Sequence, residues 1–235
     1  MPQCLRAFTL AETLIVIGII GVVAALTLPN LNHATGDKEK VTKVKKIYSA
    51  LTDAVDRAQV IYGPFDTWFT DLQNQYGGMS SNQATANERF AKRVTEFMKV
   101  SKDCGFDEGC FSTAPLLNSS GGVIYDDYLS ELKTTNYMVT LSDGISLRFY
   151  AGKIGVDIDG PHKGKNQMGS DIFSFGITNN ILFPDTFFDE RYTNEYLNRY
   201  SGQGNYATAW VIEHGNLDYL KCPDELDWGG VYSCK

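Results

Sequence analysis

The chain of 235 residues has few of the groups on which enzymes usually depend, and no surplus of positive charge. Its three histidines, His33, His162 and His214, are scattered, and none adjoins a recognisable nucleophile motif. No G-x-S-x-G, H-E-x-x-H or phosphate-loop pattern occurs, so the sequence points to no catalysis, no small-molecule substrate and no cofactor. Lysine and arginine total 21 against 28 acidic residues, a net charge of −7. That balance argues against a constitutive nucleic-acid binder that neutralises phosphates. Hydrophobic residues at 43% and aromatics at 12% exclude a disordered tail, a collagen-like repeat and a coiled-coil rod. A mean hydropathy of −0.22 excludes a polytopic membrane protein but leaves room for one span.

What is present is concentrated at the N-terminus. Residues 8–28 carry a single charge, Glu12. At ~1.5 Å per helical residue this stretch is about as long as a bilayer core is thick. Three readings compete. A secretory signal would be cut after the run, near Ala24, Ala25 or Ala34, but the run is longer than the usual h-region of ~7–15 residues. An uncleaved anchor carrying a binding ectodomain gives no reason for Glu12. A carboxylate at that depth costs on the order of 2.5–3.5 kcal/mol and marks a function awaiting a partner.

The string Ala7-Phe8-Thr9-Leu10-Ala11-Glu12, with an apolar run containing Gly18, Gly21 and Pro29, closely resembles type IV prepilins and type II secretion pseudopilins. The resemblance covers residues 1–31. It implies that a prepilin peptidase cuts between Ala7 and Phe8 and N-methylates Phe8. It departs from the commonest pattern at Ala7, where glycine is usual, and in a leader whose only basic residue is Arg6. In such a subunit Glu12 meets the Phe8 amine of a neighbour and sets axial register, a use of buried charge for specificity more than stability. Gly18 and Gly21 permit close helix approach, and Pro29 introduces a kink or local melting. The partners implied are the peptidase, other pilin or pseudopilin subunits and the inner membrane before assembly. The location implied is a single pass through a bacterial inner membrane with the head outside the cytoplasm, then a filament in the periplasm or on the cell surface. Removal of the leader leaves a subunit large for the major component of a simple pilus, so a minor pilin or pseudopilin fits equally.

Beyond Pro29 the apolar positions Val41, Val44, Tyr48, Leu51, Val55, Ala58 and Tyr62 step by three and four, predicting an amphipathic helix over 36–62 ended by Gly63-Pro64. Lys38, Lys40, Lys43, Lys45 and Lys46 read as its solvated face; the positive-inside rule would hold such a cluster in the cytoplasm, against the family topology. A second helix is expected over 84–101 and short ones over 67–75 and 207–213. From residue 136 to about 178 the period becomes two, with turns at Ser142-Asp143-Gly144 and Ala151-Gly152, which predicts strands over 137–141, 145–150, 154–158 and 172–177. The expected fold is therefore α+β and pilin-like: a leader (1–7), a span (8–31), and a head (32–235) in which the amphipathic half of a long N-terminal helix packs on an antiparallel sheet.

Cys4 falls in the leader, which leaves Cys104, Cys110, Cys222 and Cys234. Four cysteines allow three pairings, of which the local Cys104–Cys110 and Cys222–Cys234 closures are the most economical. No C-x-x-C or completing histidine suggests zinc. Disulfides require an oxidising compartment. A loop with Asp157, Asp159, Asn166 and Asp171 gathers oxygen ligands of the kind calcium prefers, without the closing glutamate of an EF-hand. Some pseudopilins bind calcium in their heads, so the resemblance adds to that expectation.

Overall fold

The computed structural model describes residues 10–69, 79–126, 135–184 and 207–235, the side chains of 24–35, 79–82 and 125 excepted. The chain divides into two compact units, Met1–Glu39 and Lys40–Lys235. Helix α1 is assigned over Leu10–Tyr62, its first part in the one unit and its second in the other.

In the larger unit α1 is followed by α2 (Met79–Thr95) and by strands β1 (Val100–Gly105), β2 (Leu116–Leu117), β3 (Val123–Tyr125) and β4 (Tyr137–Leu141). Then come β5 (Ser146–Tyr150), β6 (Lys153–Asp157), β7 (Ile172–Thr178), β8 (Ile181–Pro184) and helix α3 (Ala207–His214). Six strands form one antiparallel sheet in the order β1-β4-β5-β6-β7-β8, and β2-β3 form a separate pair.

The period-two pattern explains the core. Val139, Leu147, Phe149, Ile154, Val156, Phe173 and Phe175 alternate along β4–β7, and all are buried in one cluster. Val44, Ile47, Leu51, Ala54, Val55 and Ala58 of α1 are buried in the same cluster. Tyr48 stacks on Phe175 with ring centroids 5.4 Å apart, and Phe90 of α2 meets Phe149 edge-on at 5.1 Å. Tyr62, the last position of the predicted stripe, instead stands 37% exposed and donates its hydroxyl to Glu96.

The expected pilin-like architecture led by a membrane span over 8–31 is corrected by this structure. Among the described residues no helix is long and apolar enough to cross a membrane. From Asp37 onward the helix is charged. The single-pass inner-membrane location inferred from that segment falls with it. What the structure has is a large six-stranded antiparallel sheet with helices. Helix α2 also ends at Thr95, not 101, because Val100 begins edge strand β1. A short 3₁₀ turn occupies Phe65–Thr67, and the expected helix over 67–75 otherwise lies mostly outside the described residues.

Two-residue turns join the strands as the twist of the sheet demands. Ala151 (φ 46°) and Gly152 (φ 77°) link β5 to β6, and Asn179 (φ 51°) and Asn180 (φ 65°) link β7 to β8. Buried Asn87 of α2 ties the first of these to the helix layer: its Oδ1 accepts from the Ala151 amide at 2.9 Å, while its Nδ2 donates to the Thr135 carbonyl. Alanine in the left-handed region costs on the order of 1 kcal/mol, and asparagine is favoured there. Ala151→Asn should therefore raise the urea midpoint by an amount equivalent to about 1 kcal/mol. Asn87→Ala should lower it by about 1–3 kcal/mol through the two orphaned backbone groups. A midpoint that moves the other way in either variant would contradict this account of the turn.

Candidate functional site

The first part of α1 carries an unusual surface. Leu10, Leu14, Ile15, Ile17, Ile19, Ile20, Val22 and Val23 are all exposed, Leu10 at 82%. Because they fall on every side of the helix, the pattern is not that of an amphipathic helix with one core face. Contiguous exposed apolar surface of this kind marks an interaction site, and each such side chain gains roughly 1.5–3 kcal/mol on full burial. Glu12, exposed in the first turn, is the acidic group among them. A Cβ added at Gly18 or Gly21 would meet nothing within 4 Å, so both glycines open onto free space. The helix assignment continues through Pro29, whose side chain lies outside the described residues, as do Ala7 and Phe8 entirely.

The four residues expected as calcium ligands are gathered at one end of the large sheet, but Asp157 and Asp171 spend oxygens on loop amides and Asp159 on Lys43, while the buried Asn166 Oδ1 has no hydrogen-bond partner. Asp157 Oδ1 accepts from the amides of Asp159 (3.1 Å) and Gly160 (2.9 Å). Asp171 accepts from Asn166 at 2.7 Å and from Gln167 at 2.8 Å. Asn166 donates its side-chain amide to the carbonyls of Ala114 and Pro115, joining this loop to the segment that leads into β2. Gly164 (φ 78°) lies so close to the Asp171 and Asp159 carboxylates that a side chain there would strike them. Among the described residues no group of three or more His, Cys, Asp or Glu is placed to hold a metal ion.

Burial pushes the Asp157 carboxyl up to about 7, the neighbouring Asp171 and Asp159 adding to the effect against the two amide hydrogen bonds. Burial likewise raises Asp171, although its backbone donors and Lys40 pull the other way.

The lysine cluster of α1 has a role that composition did not reveal. Lys40, Lys43 and Lys46 recur every three residues and reach three points on the loops at the sheet end. Lys40 Nζ donates to Ser170 Oγ at 2.8 Å, Lys43 pairs with Asp159 at 3.2 Å, and Lys46 pairs with Asp143 at 2.9 Å. Exposed pairs of this kind each contribute only about 0–1 kcal/mol; their effect is to orient the turns. The i, i+3, i+6 spacing was readable in the sequence, but the acidic partners, about a hundred residues away, were not.

The cysteines form two disulfides, Cys104–Cys110 and Cys222–Cys234. The second closes a C-terminal loop beside an aromatic group in which His214 stacks on Tyr232 at 4.4 Å and lies against Trp210 at 4.4 Å. Burial holds the His214 imidazole below its ordinary range. Asn216 connects the layers, accepting from the Trp210 indole at 2.9 Å and donating to the Tyr232 carbonyl at 2.8 Å. His162 lies exposed in the loop after β6, far in sequence from the other histidines, and His33 is among the residues whose side chains are not described.

Residues 30–209 match a family of unknown function (DUF6613), and the chain belongs to that family. The match begins after the exposed apolar part of α1 and takes in the whole six-stranded sheet. No curated protein and no solved structure matches the chain.

The Asp157 carboxyl titrates at about 7 in the folded protein against an ordinary value of 3.8. Between those values the folded state holds a proton that the unfolded chain has lost. Its contribution therefore makes stability fall as pH rises through that window, by at most a few kcal/mol. Asp157→Asn, which keeps the acceptor and removes the charge, should flatten the dependence of melting temperature on pH between about 4 and 7. An unchanged pH profile would refute the assignment. Removing the Cys222–Cys234 bridge by Cys222→Ser with Cys234→Ser should cost about 3 kcal/mol, as a loop of this length implies, measured by denaturant titration.

Proposed function

We propose that the chain is a non-catalytic structural subunit of a type IV pilus or type II secretion filament, polymerising through the N-terminal part of α1 after a prepilin-type peptidase removes residues 1–7. The observation that carries this reading is the exposed apolar surface of residues 10–23, with Glu12 in the first turn of the helix. Such a surface requires a partner that covers it from all sides, and helices of neighbouring subunits supply one. Glu12 sets the register by meeting the Phe8 amine of the next subunit, and the open surroundings of Gly18 and Gly21 let backbones approach. The prepilin-like string from Ala7 to Glu12 supports the same reading independently of the structure. Two disulfides fit a head that matures in an oxidising compartment. The carboxylates of Asp157, Asp159 and Asp171 have an architectural part in it, so no calcium is needed for folding.

The N-terminal peptide of the protein isolated from its native cells should have the mass of a chain starting at Phe8 with one added methyl group. A chain starting at Met1, or beyond Ala24, would end the filament reading. Glu12→Ala should leave the level of the protein unchanged while lowering its recovery in sheared filaments at least several-fold. The melting temperature should be the same with chelator as with added calcium; a rise of several degrees with calcium would return those carboxylates to ligand duty.

A further inference from the structure

We propose that the groove where the β4–β5 turn meets the loop after β6 binds a small polyvalent oxyanion between Lys102 and Lys163. This site lies in the large unit and does not depend on the filament reading. The groove encloses about 350 Å³ and is lined by Lys102 of β1, by Gly144 of the β4–β5 turn, and by Asp159, Gly160, His162 and Lys163 of the following loop. Two glycines make it possible. Gly160 (φ 80°) and Gly144 (φ 88°) approach so closely that a side chain on the first would strike the carbonyl oxygen of the second. The loop thereby folds back over the turn and brings Lys163 to the same groove as Lys102, although β1 and β6 stand three strand spacings, ~14 Å, apart in the sheet.

The groove gathers two lysines, Lys102 and Lys163, in a protein whose net charge is −7. Two carboxylates beside it are engaged by α1: Asp159 by Lys43 at 3.2 Å and Asp143 by Lys46 at 2.9 Å. Lys102 Nζ donates to a neutral acceptor, the Gly109 carbonyl, at 3.3 Å. Among the described residues no ion pair involves the Lys163 ammonium. Lys102 and Lys163, neither in an ion pair among the described residues, therefore line one groove from different segments, and His162 is a further lining residue next to Lys163 in the chain. A monovalent ion would satisfy one cation; a ligand carrying two or more oxyanion groups satisfies both, with charge-assisted hydrogen bonds to each. Phosphate and carboxylate groups share that chemistry.

Isothermal titration of the full-length protein with inorganic pyrophosphate and, separately, with citrate tests the site. The expectation is saturable one-to-one binding of at least one of them, weakened at least about tenfold by Lys102→Gln with Lys163→Gln. The melting temperature of that variant should stay the same, and Lys235→Gln should leave binding intact. Binding of pyrophosphate alone would assign a phosphorylated ligand, and of citrate alone a carboxylated one. Absence of saturable binding by both, or equal binding by the double variant, would overturn the proposal.

Discussion

The contact on which the large unit depends is the burial of one stripe of α1 against one face of the sheet. Val44, Leu51, Val55 and Ala58 come from the helix, and Leu147, Phe149, Ile154, Val156, Phe173 and Phe175 from the strands. Phe90, Ala91 and Val94 of α2 and Trp210 and Val211 of α3 are buried in the same cluster. The polar contacts are arranged around this layer. Lys40, Lys43 and Lys46 emerge beside the stripe and orient the turns at one end of the sheet. Asn87 holds the Ala151-Gly152 turn and Gln59 donates to the Asn180 carbonyl at 3.0 Å, so two hairpins are held to the helical layer.

The two units of the chain follow opposite rules of patterning. From Lys40 to Ala58 the apolar residues of α1 form a buried stripe, Val44, Ile47, Leu51, Ala54, Val55 and Ala58, while Val60 and Ile61 beyond it are exposed. Over 10–23 there is no sorting, and nearly every side chain is apolar. A one-sided stripe is satisfied by the chain itself, whereas an all-round apolar surface is satisfied only by something else. The family match over 30–209 coincides with the part that buries its own core.

Legibility in the sequence followed the range of the interactions. The meander from β4 to β7 was readable because period-two alternation and two-residue turns are local signals, and β4 occupies Tyr137–Leu141 as its pattern predicts. The α1 stripe was readable for the same reason, whereas the region of the short helix α3 has no clear period. Strand β1 was not: Val-Ser-Lys-Asp-Cys-Gly has no alternation, and it becomes a strand only by pairing, through two register shifts, with β4. Strand β8, Ile-Leu-Phe-Pro, is too short to declare itself without β7. At the loop after β6, clustered aspartates were legible as a group, but not that backbone amides would occupy Asp157 and Asp171 or that a helix lysine would take Asp159. The oxyanion groove had no sequence signature, since Lys102 and Lys163 are brought together only by the close approach of Gly144 and Gly160.

The long sequence separation between α1 and the sheet has a consequence during synthesis. The helix is made first, yet its partners follow much later: Tyr48 waits for Leu182, 134 residues on, and Lys46 for Asp143, 97 residues on. At ribosomal speeds of roughly 5–20 residues per second the stripe of α1 remains uncovered for on the order of ten seconds. The meander, with its tight turns, closes almost as soon as it emerges. The nascent chain therefore passes through an interval in which both parts of α1 display apolar surface at once, and a holding chaperone has its best purchase there.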